Sequence, residues 1–328
     1  MKIVGFDYPC MDMNIMCTRI PQKEELTELL DATLMGGGKV ANAIITAARL
    51  GATTGFAGAV GTDRYGELCK EDLRAHGTDV RYLITKPGHT ALCLNIVDEE
   101  KRDKHYIESA RTFEDITGQE MELLTEKIVQ EVYPGDFLML YQLDEHARSL
   151  AKAFRNAGGL VEVDGDTFDE RTQEFLPLVD VFIMSEYYYL SCFPDSDICN
   201  VGQLERNLKT ICSYGPRITV VTLGAKGCAG VENGHYFRTD AYQVDAKDTT
   251  GAGDVFHGAF VFGLSCGKSA EESAQFAGAV SAVKCTMLGG RTGIPTLNCV
   301  EHFMVTGEIE FEDFAKREEY YRNCMWEA

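Results

Sequence analysis

Short, continuous apolar runs punctuate the chain. Lys2–Phe6 is the first, and residues 54–60, 137–141, 160–163 (interrupted by Glu162), 179–184 (interrupted by Asp180) and 218–223 are further predicted strands. Runs of this length without polar alternation predict strands buried on both faces. The stretches between them carry a different period. Ala41, Ile44, Ile45 and Ala48 fall at helical spacing, and that pattern stops at Gly51. Residues 66–76 (closed by Gly77), 123–132, 145–156, 255–264 and 270–283 are further predicted helices, the last opened by a Ser269/Glu272 capping box. Strands alternating with helices predict an α/β chain, a mostly parallel sheet with helices on both faces. Two β-prone pieces, 11–20 and 91–97, break the alternation. They fit a small separate sheet built from about 11–35 and 88–109, with the charged stretch 98–104 as an exposed hairpin turn. Beyond about residue 305 the chain is an acidic-aromatic tail of helical character with no readable chemistry.

Composition narrows the possibilities. The 328 residues allow two domains or one large α/β domain, long enough to bury a core without staples. With 51 acidic and 31 basic residues the net charge is −20, which argues against nucleic acid or an anionic membrane as partner. The 12 cysteines are scattered without a Cys-x-x-Cys pair or zinc-ligand spacing, so they read as reduced core residues. The start, MKIVGFDYPC, lacks the pattern of a signal peptide, and no apolar run is long enough to span a membrane. The expected compartment is the cytoplasm.

The densest chemical signal is Asp248-Thr-Thr-Gly251-Ala252-Gly253-Asp254, running into a helix. Two glycines and a helix N-terminus turn free N–H groups toward one point, which makes an anion site. Asp254 at its lip has two readings from the residues alone: a helix cap, or a general base beside a bound phosphate. Two superficial motifs fail. Gly263–Ser269 has three residues between its glycines where a Walker A loop has four, and Gly251-x-Gly253-x-x-Phe256 lacks the third glycine of a dinucleotide fingerprint. A second glycine run, Gly36-Gly37-Gly38-Lys39-Val40-Ala41-Asn42, also leads into a helix. There Asn42 suits a polyol hydroxyl, and Lys39 faces either a ligand or solvent.

These segments resemble a known family. DTTGAGDVFHGAF (248–260) and GGGKVANAIITAARLGATTGFAGAVGTDRYGE (36–67) resemble the two signatures of the ribokinase, or PfkB, carbohydrate kinases, in the same order and at a matching separation. The resemblance runs from residue 1 to about 300. It implies a ribokinase-like three-layer α/β/α sandwich with a small β-sheet lid, as a 1–305 sugar kinase domain followed by a 306–328 tail. It also implies roles. Asp254 matches the catalytic base, and Gly251, Ala252 and Gly253 match the anion hole. Asp12, Gly38, Lys39, Asn42 and Asp144 match substrate-side positions. Thr222, Gly224 and Gly227 match the turn beside the nucleotide phosphates. Asp248 opens the anion loop where ribokinases hold a monovalent cation such as K+. The family's magnesium-linked Asn-x-x-Glu is absent: the segment reads Ser185-Glu186-Tyr187-Tyr188, so Glu186 would act on the metal through water. Residues 160–187 and 282–294 look more like ketohexokinases.

The implied activity is ATP- and Mg2+-dependent phosphorylation of a primary hydroxyl of a small ketose or pentose sugar. The implied partners are the sugar and a second copy of the chain, paired through the lid. A kinase for a nucleoside or another small hydroxylated metabolite is the alternative on the same fold, and a non-enzymatic sugar sensor is the third class.

Overall fold

The computed structural model describes residues 1–101, 104–167 and 171–327. Arg102 and Asp103 of the expected hairpin turn, and 168–170 of the ketohexokinase-like stretch, lie outside the described residues. The strands are β1 (Lys2–Phe6), β2 (Met11–Cys17), β3 (Leu29–Gly36), β4 (Thr53–Gly61), β5 (Asp79–Lys86), β6 (Leu92–Asp98), β7 (Lys104–Glu108), β8 (Phe137–Leu140), β9 (Leu160–Gly165), β10 (Val181–Ser185), β11 (Ile218–Thr222), β12 (Cys228–Glu232) and β13 (His235–Thr239). The helices are α1 (Lys39–Arg49), α2 (Arg64–Ala75), α3 (Gly118–Val129), α4 (Glu145–Asn156), α5 (Arg171–Phe175), α6 (Glu186–Cys192), α7 (Val201–Cys212), α8 (Ala252–Ser265), α9 (Ala270–Lys284), α10 (Leu297–Thr306) and α11 (Glu312–Glu327).

Among the described residues, nine strands form one sheet in the order β13-β12-β11-β10-β9-β8-β1-β4-β5. It is parallel from β11 through β5, and β12 and β13 add an antiparallel edge. Successive residues of the central strands serve two cores, as the period of two in a strand requires. Ile3, Phe137, Met139, Val181 and Ile183 pack with α1, α8 and α9 on one face. Val4, Leu138, Leu140, Phe182 and Met184 pack with α3, α4 and α7 on the other. These strands therefore read as unbroken apolar runs.

A second sheet, in the order β3-β2-β6-β7, stands apart from the first. It unites the two β-prone pieces that broke the alternation: β2 pairs with β6 in parallel, with β3 and β7 antiparallel on the outside. Several boundaries differ from expectation. The helix expected over 123–132 begins at Gly118, because Thr117 and Glu120 form a capping box there. The helix expected from residue 255 begins at Ala252, because Gly251 and not Asp254 is its cap. Strand β5 was not expected; its polar residues sit on a half-buried edge, which hides the apolar pattern.

The tail is folded against the body. Phe314 and Tyr321 of α11 are each 1% exposed, and Arg317 donates to the Arg291 and Ile294 carbonyls. Phe314→Ala should therefore lower the unfolding free energy of the whole chain by about 3 kcal/mol, the usual cost of emptying a buried phenylalanine site. Urea denaturation checks this, and an unchanged midpoint would show that α11 folds independently of the core.

Candidate active site

The chain lays down β1 mid-sheet, adds β4 and β5 on one side, then returns to build β8 onward on the other. That reversal opens a crevice at the carboxyl ends of β1 and β8, the place where open α/β sheets take ligands. Asp7 follows β1, Tyr141 follows β8 and Asp166 follows β9, and all three line one cleft of about 960 Å³. Helices α1 and α8 open on the same cleft and bring Lys39, Asn42 and Asp254 to it. They approach closely because Gly258 has no side chain: a Cβ there would sit 2.1 Å from the Ala43 carbonyl oxygen.

Gly251 caps α8 in the left-handed conformation (φ 71°), which glycine adopts without strain. Asp254 is the third residue of the helix and makes no capping bond, so the cap reading falls away. Its Oδ2 accepts a 2.8 Å hydrogen bond from Asn42 Nδ2. Burial pushes its carboxyl above the ordinary range, against the pull of the Lys39 charge and the Asn42 bond. A carboxylate raised in this way is a better proton acceptor near neutral pH.

The loop ahead of Asp254 separates two clefts of different chemistry. Thr250, Gly251 and Asp254 face the large cleft, whose far wall is the small sheet with Asp12, Asn95, Tyr106 and Glu108. Thr249, Ala252 and Gly253 face a mainly apolar cleft of about 530 Å³, lined by Thr222, Gly224, Gly227, Tyr242, Val244 and Phe256. Asp12, Gly38, Lys39 and Asn42 thus lie on one side of this loop, and Thr222, Gly224 and Gly227 on the other.

On the large-cleft side, burial pushes Asp12 up to about 6, with the Arg291 charge opposing. Its carboxylate lies against Gly37, where a Cβ would come within 2.3 Å of Asp12 Cγ. Gly38 lines the same cleft. Lys39 Nζ donates to Asp166 Oδ2 at 2.6 Å and sits 4.7 Å from the Tyr141 ring centre. Burial opposes the Lys39 charge, but the carboxylates of Asp164, Asp254 and Asp166 outweigh it and raise its pKa. Asn42 bridges two protein groups, since its Oδ1 accepts from Arg291 Nε at 2.8 Å while its Nδ2 holds Asp254. Asp144 stands elsewhere: it caps α4 by accepting from Ala147 N–H and lines a neighbouring pocket beside Thr167 and Arg171.

Asp248 is buried behind the loop. Its carboxylate accepts from the N–H groups of Thr250 and Gly289, both at 2.8 Å, and Lys104 Nζ of β7 lies 3.3 Å away. Burial opposes ionisation, but Lys284 and Lys104 hold its pKa below the usual range. Glu186 opens α6, half-exposed, 3.7 Å from Lys226 Nζ. Among the described residues no group of three His, Cys, Asp or Glu is placed to hold a metal ion by itself.

Further residues that the sequence did not single out stand behind the site. Arg291, 1% exposed, donates to Asn42, to Asp72 at 2.5 Å and to the Gly37 carbonyl. His257 of α8 meets Glu162 at 2.6 Å and Asp164 at 3.5 Å, directly beneath Asp254. Burial disfavours the imidazolium, but Asp164 and Glu162 raise it to about 9. The available sequence signal was a lone polar residue inside an apolar helix, as His257 is in VFHGAFVFG.

The sequence matches the profile of the pfkB family carbohydrate kinases over residues 2–297. It is 26% identical to a ribokinase of Staphylococcus aureus over 305 residues, 90% of this chain and 97% of that one. It is 27% identical to a fructokinase of Escherichia coli, over 79% of this chain and 88% of that one. The fold superposes on an Arabidopsis thaliana ribokinase solved with ribose and ATP, at a TM-score of 0.74 and 22% identity, covering 92% of this chain and 98% of that one. A three-layer α/β sandwich with a glycine loop between two clefts is the architecture of a ribokinase-like carbohydrate kinase. The chain belongs to the pfkB family of carbohydrate kinases.

Two tests follow from this geometry. A Cβ at Gly253 would meet no atom within 4 Å, so Gly253→Ala has room and adds a methyl to the loop wall. The melting temperature should hold or rise, since alanine is favoured over glycine in a helix by about 1 kcal/mol, while KM for the nucleotide rises. An unchanged KM would show that this wall does not meet the nucleotide. The second test concerns pH. His257 is raised from 6.5 to about 9, so its contribution to stability is complete below 6.5 and is lost as pH climbs through about 9. Thermal melts should show wild type losing stability across that window faster than His257→Gln. Parallel pH profiles would remove the charged imidazole from the account.

Proposed function

We propose that this chain transfers the γ-phosphoryl group of ATP to a primary hydroxyl of a small ketose or pentose sugar, with Asp254 as general base. The observation that carries the proposal is the loop 249–254, standing between a polar cleft and an apolar cleft with Asp254 at the polar side. An adenine ring suits the apolar cleft beside Tyr242, Val244 and Phe256. A polyol suits the polar one, where Asp12, Asn95 and Glu108 offer acceptors and donors. The nucleotide's phosphates then meet the α8 N-terminus, whose free N–H groups stabilise the charge spreading over the transferring phosphoryl oxygens. Asp254 takes the hydroxyl proton as that oxygen attacks in line. The relatives named ribokinase and fructokinase support the substrate class.

Magnesium reaches such sites on the nucleotide and keeps several waters, so it needs few protein ligands. Half-exposed Glu186, beside the Gly224–Lys226 turn, fits contact through water. When bound, the ion would neutralise charge on the nucleotide phosphates. The small sheet acts as a lid that closes Asp12 over the sugar and excludes water. Exposed Leu29, Leu30 and Ile107 on that sheet support pairing of two lids in a homodimer.

Asp254→Asn keeps the side chain's size and its place beside Asn42 but removes the proton acceptor. The variant should keep its melting temperature and ATP affinity while kcat falls by at least about 10². ADP release measured over a panel of ketoses, pentoses, sugar acids and nucleosides checks both the substrate class and the base. Near-normal turnover of the variant would take the role of base away from Asp254.

A further inference from the structure

Helix α9 is mostly alanine, valine, glycine and serine, yet it ends in a lysine with no exposed surface, Lys284. A buried ammonium is tolerated only when its charge is met. Here it is met by the anion loop: Nζ donates to the main-chain carbonyls of Asp248, at 3.1 Å, and of Thr250. In a trans peptide the C=O and the following N–H point in opposite directions. Drawing the Thr250 carbonyl inward therefore turns the Gly251 N–H outward, on the side where Thr250 and Gly251 line the large cleft. The lysine thus sets the orientation of a donor in the proposed phosphate site without itself facing the cleft.

Ribokinase-like chains were expected to hold a monovalent cation beside Asp248, and the residues here do not fit one. The oxygens that would bind it already have partners. The carbonyls of Asp248 and Thr250 accept from Lys284. The Asp248 carboxylate accepts from Thr250 N–H and Gly289 N–H, with Lys104 Nζ at 3.3 Å. The Cys285 carbonyl accepts from the N–H groups of Lys247 and Asp248, at 2.8 and 3.1 Å. An added cation would also lie against the ammonium and be repelled by it.

We propose that the Lys284 ammonium is a built-in replacement for the monovalent cation, a positioning residue that orders the phosphate loop and makes this kinase independent of K+. The proposal rests on the kinase reading above, and its test separates the two. Wild type and Lys284→Ala are compared in potassium chloride and in tetramethylammonium chloride at equal ionic strength. The readouts are ADP release, binding of a fluorescent ATP analogue, and thermal melts. Wild-type kcat should agree between the salts within about twofold. Lys284→Ala should lose about 10² in kcat in tetramethylammonium, the scale of a lost anion-hole donor. It should regain at least about tenfold when K+ or ammonium fills the space left by the side chain. Its melting temperature should rise with K+, while that of wild type stays level. A wild type that needs K+ overturns the proposal, even if the variant does not fold. So does a variant with undiminished activity, or a loss that no small cation recovers. If wild type releases no ADP in either salt, the kinase reading has failed, and the melts alone decide the cation question: a K+-stabilised variant beside an indifferent wild type supports it, and equal responses overturn it.

Discussion

A single buried guanidinium ties the parts of this site together. Arg291 reaches Asn42 on α1, Asp72 on α2 and the Gly37 carbonyl in the glycine run. A charge removed from water is costly unless each of its donors is met, and breaking such a set by removing one partner costs more than the set contributes. Asp72 supplies the counter-charge, and the Arg291 guanidinium and His76 hold its carboxyl well below the usual range despite burial. Its second oxygen accepts from Tyr321 of α11. The line Asp254–Asn42–Arg291–Asp72–Tyr321 therefore runs from the proposed base to the last helix. The rotamer of Asn42, and through it the aim of Asp254, depends on an arginine that touches neither cleft.

The second organising feature is the convergence of two helix N-termini. The chain carries a net charge of −20, and Asp7, Asp164, Asp166 and Asp254 all crowd the base of the large cleft. An anionic nucleotide is repelled by that field at long range. Attraction has to come from groups that act within a few ångströms. The candidates are the α8 N-terminus and two buried or half-buried cations held by carboxylates, Lys39 by Asp166 and His257 by Glu162. Burial of Asp7, which pushes its carboxyl up to about 7, also trims the negative charge of the cluster near neutral pH.

Much of this was legible from the residues. Largely apolar runs identified the central parallel strands because helices cover both of their faces, although β9 carries Glu162 and Asp164, and the two glycine runs identified the loops because only glycine permits such close approach. The β12–β13 hairpin was not anticipated although Asn233-Gly234 signals it: both residues take positive φ, at 48° and 84°, as an Asn-Gly hairpin turn requires. What stayed hidden was long-range pairing. Arg291 is 249 positions from Asn42, and no local pattern links them. The tail read only as an acidic-aromatic helix, and nothing local told that Phe314 and Tyr321 are buried or that Arg317 and Arg322 tie it to the body. Asp144 carries a local role that the resemblance does not convey: one of its oxygens caps the first turn of α4.

The anion loop shows why glycine-rich sites need support from outside the loop. Gly251 and Gly253 let the backbone adopt the required path, but the same freedom gives the loop many other conformations, each equally open to it. Order has to be imposed through the carbonyl and carboxylate side of the peptide planes. Lys284 takes two carbonyls from below, Gly289 N–H and Thr250 N–H take the Asp248 carboxylate, and Lys104 reaches in from the lid to Thr249 and Asp248. The last of these contacts is made by a strand of the small sheet, so the position of the lid and the order of the loop are coupled. Movement of that sheet away from the cleft would withdraw Lys104, leave Asp248 with one fewer cation, and loosen the loop proposed to receive the phosphates. If the small sheet closes over the sugar as proposed, the same movement would carry the Lys104 charge to the loop, so that water exclusion and ordering of the proposed phosphate site would come from one contact.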